Sequence, residues 1–215
     1  LERESLTLDT ILITHHHQDH TGGLATLIQR YSPRVIGPDN PTIQGIDERV
    51  GDGDQVRIMG RLFEVMATPG HTLDHISYFT AGIPALLFCG DTLFCAGCGR
   101  LFEGTPEQMF SSLNRLAELP EDTLVFAAHE YTQANLAFAR AADPENDAVT
   151  HALQECEKAR ALDRPTLPST IGRELTINPY LRVGTDSVRQ AAGTQGDNHD
   201  ELATFTTLRE WKNRF

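Results

Sequence analysis

Apolar positions along the chain come in short runs, and most runs end in a polar or glycine-rich cluster. Ile11-Leu12-Ile13 reads as a buried strand that delivers Thr14-His15-His16-His17-Gln18-Asp19-His20 to a sheet edge. Leu24, Leu27 and Ile28 then share one face of a predicted helix beginning at residue 24. Val35-Ile36 is a further short strand, and the Pro, Asp, Asn and Gly residues after it predict a loop through Gly53-Asp54. Leu62-Phe63-Glu64-Val65 alternates weakly and runs to Thr68-Pro69-Gly70-His71, after which residues 76–79 and 85–89 read as buried strands. Thr105-Pro106-Glu107-Gln108 has the form of a capping box with proline at the first helical position, and Met109, Leu113 and Leu116 supply that helix's stripe. The helix should stop near Leu119-Pro120, and residues 124–127 form the last strand before His129.

The pattern changes after His129. Residues 133–142 are alanine-rich, and Val149, Ala152, Leu153, Cys156 and Ala159 recur every three to four residues, so both segments read as amphipathic helices. Asp143-Pro144 separates them, and a looser stretch over residues 163–196 precedes a final helix on which Leu208, Trp211 and Phe215 share a face. Strands thus stop where helices begin. The expected organisation is an α/β domain over residues 1–130 and a small helical domain over 131–215.

At 215 residues and 40% hydrophobic the chain buries a full core. Its formal net charge of −12 argues against a nucleic-acid surface. No apolar stretch reaches the roughly 20 residues of a membrane span, and Leu1-Glu2-Arg3-Glu4 is unlike a signal peptide. The first residue is not Met and the metal-type strand begins by residue 11, so an N-terminal piece is expected to be absent from this sequence. Cys95-Ala96-Gly97-Cys98 has no second pair to complete a zinc knuckle, and the glycines around it read as a tight loop. Structural cysteines and a reducing, cytoplasmic compartment follow.

Candidate chemistry clusters at strand ends. Imidazole and carboxylate donors suit zinc, iron or manganese, and a disordered metal-binding tract would not follow a strand and precede Thr21-Gly22-Gly23 and an apolar helix. His71 follows a Pro-Gly turn, Asp91 follows the run ending at Gly90, and His129 ends the last strand. Each alone has a plain structural alternative: a turn cap, an Asx-turn residue, a core histidine. Together with the 15–20 run they make seven donors, His15, His17, Asp19, His20, His71, Asp91 and His129. That set holds two ions if one carboxylate bridges, and Asp91 is the expected bridge across ions roughly 3.5–4 Å apart.

The His-x-His-x-Asp-His run, Gly70-His71-Thr72, Gly90-Asp91-Thr92 and the late His129 resemble the metallo-β-lactamase superfamily. Gly90-Asp91-Thr92-Leu93-Phe94, Gly97-Cys98-Gly99-Arg100-Leu101-Phe102-Glu103-Gly104-Thr105, His129-Glu130-Tyr131-Thr132 and Asn178-Pro179-Tyr180-Leu181-Arg182 narrow the resemblance to the hydroxyacylglutathione hydrolase, or glyoxalase II, family over nearly the whole chain. The resemblance implies an αββα sandwich followed by a small helical domain, with two strands expected ahead of residue 1. It assigns His15, His17 and His71 to a first ion, Asp19, His20 and His129 to a second, and Asp91 to both. Zinc is the first choice for the two divalent ions, with iron or manganese as alternatives. Glutathione would be held by Arg100, Phe102, Tyr131, Arg209 and Lys212, where Phe102 replaces a tyrosine of some members and lacks its hydroxyl.

The activity so implied is hydrolysis of an S-(2-hydroxyacyl)glutathione thioester, such as S-D-lactoylglutathione, as the second step of methylglyoxal detoxification. Water activated at two ions needs no Ser-His-Asp or Cys-His nucleophile; Asp91 and Asp19 are the expected catalytic carboxylates, Asp19 orienting the nucleophile. Arg209 and Lys212, three positions apart, share a helical face that forms a local anion site. The expected partner is the small glutathione thioester, with no nucleic acid and no membrane, and the protein acts as a monomer. The alternatives are a persulfide dioxygenase-like enzyme with one iron and a non-catalytic metal-binding or redox-partner module.

Overall fold

The computed structural model describes residues 1–194 and 200–215. The chain opens with strand β1 (Thr10–Leu12), one-turn helix α1 (Gln18–Thr21), helix α2 (Leu24–Tyr31) and strands β2 (Arg34–Pro38), β3 (Glu48–Val50), β4 (Gln55–Ile58) and β5 (Arg61–Ala67). Next come β6 (Ile76–Thr80), β7 (Leu86–Gly90), the short pair β8 (Leu93–Phe94) and β9 (Gly97–Cys98), helix α3 (Pro106–Ala117) and β10 (Leu124–Ala127). The remainder holds α4 (Thr132–Ala142), α5 (Asp147–Ala161), β11 (Ser169–Thr170), α6 (Ile171–Ile177), α7 (Asp186–Ala192) and α8 (Glu201–Lys212). Among the described residues, β1-β2-β3 form a parallel sheet, β11-β10-β7-β6-β5-β4 a mixed sheet, and β8-β9 a hairpin.

Three apolar layers build an αββα sandwich from these sheets. Ile13, Leu24, Val35 and Ile43 seal α2 onto the small sheet. Ile36, Val50, Val56, Phe63, Val65, Ile76 and Tyr78 fill the space between sheets, and the Tyr78 hydroxyl donates across it to the Ile13 carbonyl at 2.8 Å. On the far face, Leu87, Cys89 and Val125 pack against Met109, Leu113 and Leu116 of α3. The Thr105 side chain accepts from Gln108 N–H while Gln108 reciprocates, so the expected capping box forms.

The helical tail joins that same outer core. Phe138, Tyr180, Phe205 and Leu208 belong to the cluster built on α3 and the large sheet. A polar node reinforces the join: the buried Glu174 carboxylate accepts from Ala96 N–H at 2.8 Å and from Asn178 Nδ2 at 3.0 Å, and Asn178 Nδ2 also reaches the Phe94 and Gly97 carbonyls. Burial pushes the Glu174 carboxyl upward despite these donors.

The structure corrects parts of the sequence reading. The segment expected to loop through residue 54 contains β3, paired parallel to β2, and β4 precedes β5 as an antiparallel partner. Strands do not stop before residue 130, because β11 returns from the tail to pair with β10. The looser stretch holds α6 and α7; its last two residues, Gln195 and Gly196, lie outside the described residues. Leu208 is buried, whereas Phe215 lies past the end of α8, exposed, with its ring against Phe138 at 5.3 Å and under the Lys212 ammonium.

Candidate metal centre

The seven expected donors converge at the carboxyl ends of β1, β7 and β10, where loops of an α/β fold gather functional groups. His15 and His17 leave β1, and the single turn of α1 presents Asp19 and His20. His71 comes from the β5–β6 loop, Asp91 follows β7 and His129 follows β10. Ligand atoms of His15, His17 and His71 lie within 4.8 Å of one another, as do those of Asp19, His20 and His129. Asp91 stands between the two groups. Its Oδ2 is 3.4 Å from His71 Nε2, while its Oδ1 is 3.3 Å from His20 Nε2 and 3.5 Å from His129 Nε2.

The backbone allows this approach at two glycines. Gly90 adopts φ +48°, and a Cβ there would lie 2.6 Å from both His75 Nε2 and Thr14 Oγ1. A Cβ on Gly99 would collide with the Asp91 carbonyl. The glycine-rich loop therefore lies directly against the chain that carries the bridge.

Neighbours fix the tautomers. His71 Nδ1–H donates to the Arg100 carbonyl at 2.7 Å, leaving Nε2 to face the cluster. His15 Nδ1 contacts Thr14 Oγ1 at 3.1 Å, and its Nε2 is buried without a hydrogen-bond partner, as is Asp91 Oδ1. Buried polar atoms are ordinarily satisfied, so orphaned lone pairs aimed into a ring of further donors fit a cation. The donor set itself fits two divalent ions sharing one carboxylate.

Electrostatics keep His15, His71 and Asp91 in their ligating forms. Burial, then the neighbouring imidazoles, hold His15 far below the ordinary histidine range, and burial also lowers His71. Burial raises Asp91, but the adjacent His20, followed by His129 and His71, outweighs it and keeps the carboxyl low. Burial likewise opposes protonation of His20, yet Asp91 prevails and its net displacement is upward. Neutral imidazoles and an ionised carboxylate are the states that bind metal.

One side of the cluster is open. The Asp19 side chain is 60% exposed and stands 3.2 Å from His129 Nε2. Phe102, also exposed, sets its ring 5.4 Å from His17 and 5.3 Å from His71, with the Arg100 guanidinium 5.5 Å from its centre. Tyr131 stacks on His129 at 5.1 Å. Arg209 and Lys212, expected to share a face that forms an anion site, both also contact neighbouring chain. Arg209 is 6% exposed, donates to the Cys98 carbonyl at 2.9 Å, and lies over the Tyr180 ring. Lys212 donates to the Ala134 carbonyl at 3.0 Å. Both therefore support the glycine-rich loop and α4 from behind, and Arg209 Nε is buried without a partner.

Sequence reasoning missed His75. It lies just before β6, is 1% exposed, and accepts the Asp91 N–H at Nε2, 3.0 Å away; burial lowers it to about 3. Its place four residues after His71 was the available signal. His16, the remaining histidine of the run, turns instead to Asp74 and Glu103.

All four cysteines are free and buried, and none joins a candidate ligand group among the described residues. Replacing Cys95 with Ala and Cys98 with Ser together is thus expected to leave the metal content of the purified protein unchanged by elemental analysis. Loss of an equivalent would restore the knuckle reading.

Two family descriptions match the chain: metallo-beta-lactamase superfamily over residues 1–129 and hydroxyacylglutathione hydrolase C-terminus over residues 130–215. A hydroxyacylglutathione hydrolase of Chromohalobacter salexigens is 64% identical over 215 residues, spanning 100% of this chain and 84% of that protein. One from Vibrio cholerae is 50% identical over 216 residues with the same coverage. Among solved structures, ETHE1 from Myxococcus xanthus superposes with a TM-score of 0.62 at 28% identity, over 94% of this chain and 69% of that one. The BLEG-1 B3 metallo-beta-lactamase, at 24% identity and a TM-score of 0.61 over 84% of this chain and 80% of that one, shares the fold.

Proposed function

We propose that this chain, which belongs to the hydroxyacylglutathione hydrolase family of the metallo-beta-lactamase superfamily, hydrolyses S-(2-hydroxyacyl)glutathione thioesters, S-D-lactoylglutathione among them, to glutathione and the free 2-hydroxy acid. The observation that carries the reading is the placement of Asp91, one oxygen towards each donor group. His15, His17 and His71 would hold one ion, Asp19, His20 and His129 the other, with Asp91 on both. Zinc is the metal proposed. When bound, such a pair supplies Lewis acidity, lowering the pKa of water towards neutrality and offsetting negative charge that develops on the thioester carbonyl oxygen.

The chain's own groups do the rest. Asp19, open to solvent, accepts a hydrogen bond from the attacking water and orients it towards the carbonyl carbon. Phe102 and Tyr131 wall the opening on the sides of the first and second donor groups, respectively. Arg100, with Arg209 and Lys212 behind the loop and α4, supplies positive charge for the tripeptide carboxylates in a chain of net −12. Residues 1–130 thus form the metal domain and 131–215 the substrate domain. Every proposed ligand comes from one chain, so a monomer suffices. Free buried cysteines support a reducing, cytoplasmic setting, and no described helix is long and apolar enough to cross a membrane.

The test compares S-D-lactoylglutathione hydrolysis with glutathione persulfide oxidation on one full-length sample, alongside metal analysis. Two ions per chain with thioester hydrolysis is the expected result; one iron with persulfide oxidation would overturn it. Phe102→Tyr is expected to leave metal content unchanged and to lower KM roughly two- to twelvefold, since one neutral hydrogen bond contributes ~0.5–1.5 kcal/mol. An unchanged KM would remove Phe102 from the recognition surface.

A further inference from the structure

His75 contacts the cluster at His15 and at the Asp91 main chain without belonging to it. A main-chain N–H can only donate, so the 3.0 Å contact from Asp91 N requires a bare Nε2 on His75. The proton of the neutral ring then sits on Nδ1, where Thr68 Oγ1 at 2.9 Å and Thr92 Oγ1 at 3.1 Å receive it. Those hydroxyls are held in turn, Thr68 by Ser77 Oγ at 2.9 Å and Thr92 by the Thr68 carbonyl at 3.2 Å. The His75 ring also stacks on His15, centroids 4.9 Å apart and planes 25° from parallel. One imidazole thereby ties the ends of β5, β6 and β7 and touches a donor from the first group and the main chain that carries the shared carboxylate.

We propose that His75 is the positioning residue of the bridge: as a fixed Nδ1–H tautomer it anchors the Asp91 main chain through Nε2 and buttresses the His15 ring, so that Asp91 divides its two oxygens between the donor groups. The inference rests on the dinuclear reading of the site. Its physical basis is the small tolerance of a bridge. The Asp91 oxygens stand 3.3–3.5 Å from three imidazole nitrogens, and the preceding Gly90 sits in the left-handed region, where Ala128 N–H holds its carbonyl at 3.1 Å and His75 holds the other side of the same peptide. Rotation of the Asp91 peptide would swing the carboxylate away from one group. The His75 contact blocks that rotation. Because Nε2 is engaged by Asp91 N–H, it is not available as a metal ligand.

The test uses the full-length protein, wild type and His75→Gln and His75→Leu variants, titrated with cobalt(II) against a competing chelator while the visible spectrum is followed. Gln keeps an acceptor for Asp91 N–H; Leu does not. The expected result is two cobalt ions in wild type, near-wild-type binding in His75→Gln, and binding weakened roughly 10–100-fold with an altered spectrum in His75→Leu, the range typical of groups that orient metal ligands. Both variants binding two ions with wild-type affinity and spectrum would overturn the proposal alone. Wild type binding a single ion would overturn the dinuclear reading beneath it. Independent of how the variants fold, nitrogen NMR of wild type, metal-free and zinc-loaded, is expected to show His75 protonated at Nδ1 and bare at Nε2. The opposite tautomer would sink the assignment.

Discussion

Replacing Asp91 by Ala is expected to remove metal from both positions and to lower turnover of a glutathione thioester at least about a thousandfold, ~4 kcal/mol at the barrier. The size follows from geometry. Among the described residues, Asp91 alone has an oxygen near each donor group, 3.4 Å from His71 Nε2 on one side and 3.3 Å from His20 Nε2 on the other. Its removal also leaves seven-donor chemistry as two neutral-rich sets with only the exposed Asp19 to offset cationic charge. Asp19→Ala is the informative comparison, because it touches one group: that variant should keep the ion of His15, His17 and His71 while losing affinity for the other. Elemental analysis of both proteins decides the matter. Two ions retained in Asp91→Ala would dismiss the bridge.

Arg209→Ala and Lys212→Ala are expected to part company, although both carry charge on one face of α8. Arg209 is buried and its guanidinium holds the Cys98 carbonyl; a charged hydrogen bond of this kind contributes about 1.5–3 kcal/mol. At roughly 2–4 °C per kcal/mol for a chain of this size, its loss should lower Tm by about 3–12 °C, as scanning calorimetry would measure. The same change slackens the glycine-rich loop that abuts Asp91 and carries Arg100. KM for the glutathione thioester should then rise about five- to tenfold, ~1–1.4 kcal/mol. Lys212 is only half-buried, so Lys212→Ala should raise KM by a similar factor with little change in Tm. A small neutral thioester separates recognition from folding, because it has no carboxylates for these side chains to meet. Equal KM losses on neutral and anionic substrates would mean that the tail supports the loop and does not read the glutathione moiety.

Legibility in the sequence followed physical cause. Donors such as His15, Asp91 and His129 were readable because each ends an apolar run, and a buried strand terminating in a polar side chain is an expensive placement without a use. The capping box at Thr105 was readable because it is local chemistry. β3 and β4 were not, since Glu48-Arg49-Val50 and Gln55–Ile58 each bury a single valine and show no sustained alternation. β11 is two polar residues whose strand character comes wholly from pairing with β10. The burial of Arg209 was not readable, because helical spacing reports which residues share a face and not what covers it. His75 was hidden for a related reason: its spacing from His71 marks the histidine, but its importance lies in a contact to the main chain of a residue sixteen positions away, and spacing does not name an N–H group as the partner.

The Glu174 node has a consequence for how this architecture can be recombined. Glu174 and Asn178 belong to the tail, yet what they hold is the main chain of the β8–β9 hairpin in the sandwich. A chimera that exchanged residues 131–215 for a tail without a carboxylate and an amide at these two places would leave the Ala96 N–H and the Phe94 and Gly97 carbonyls of the native hairpin unmet, and unmet buried groups are costly. The heritable cassette is therefore discontinuous: the hairpin over residues 93–98 travels with the tail, although more than thirty positions of unrelated chain lie between them, and a crossover point drawn at the apparent domain boundary would cut through it.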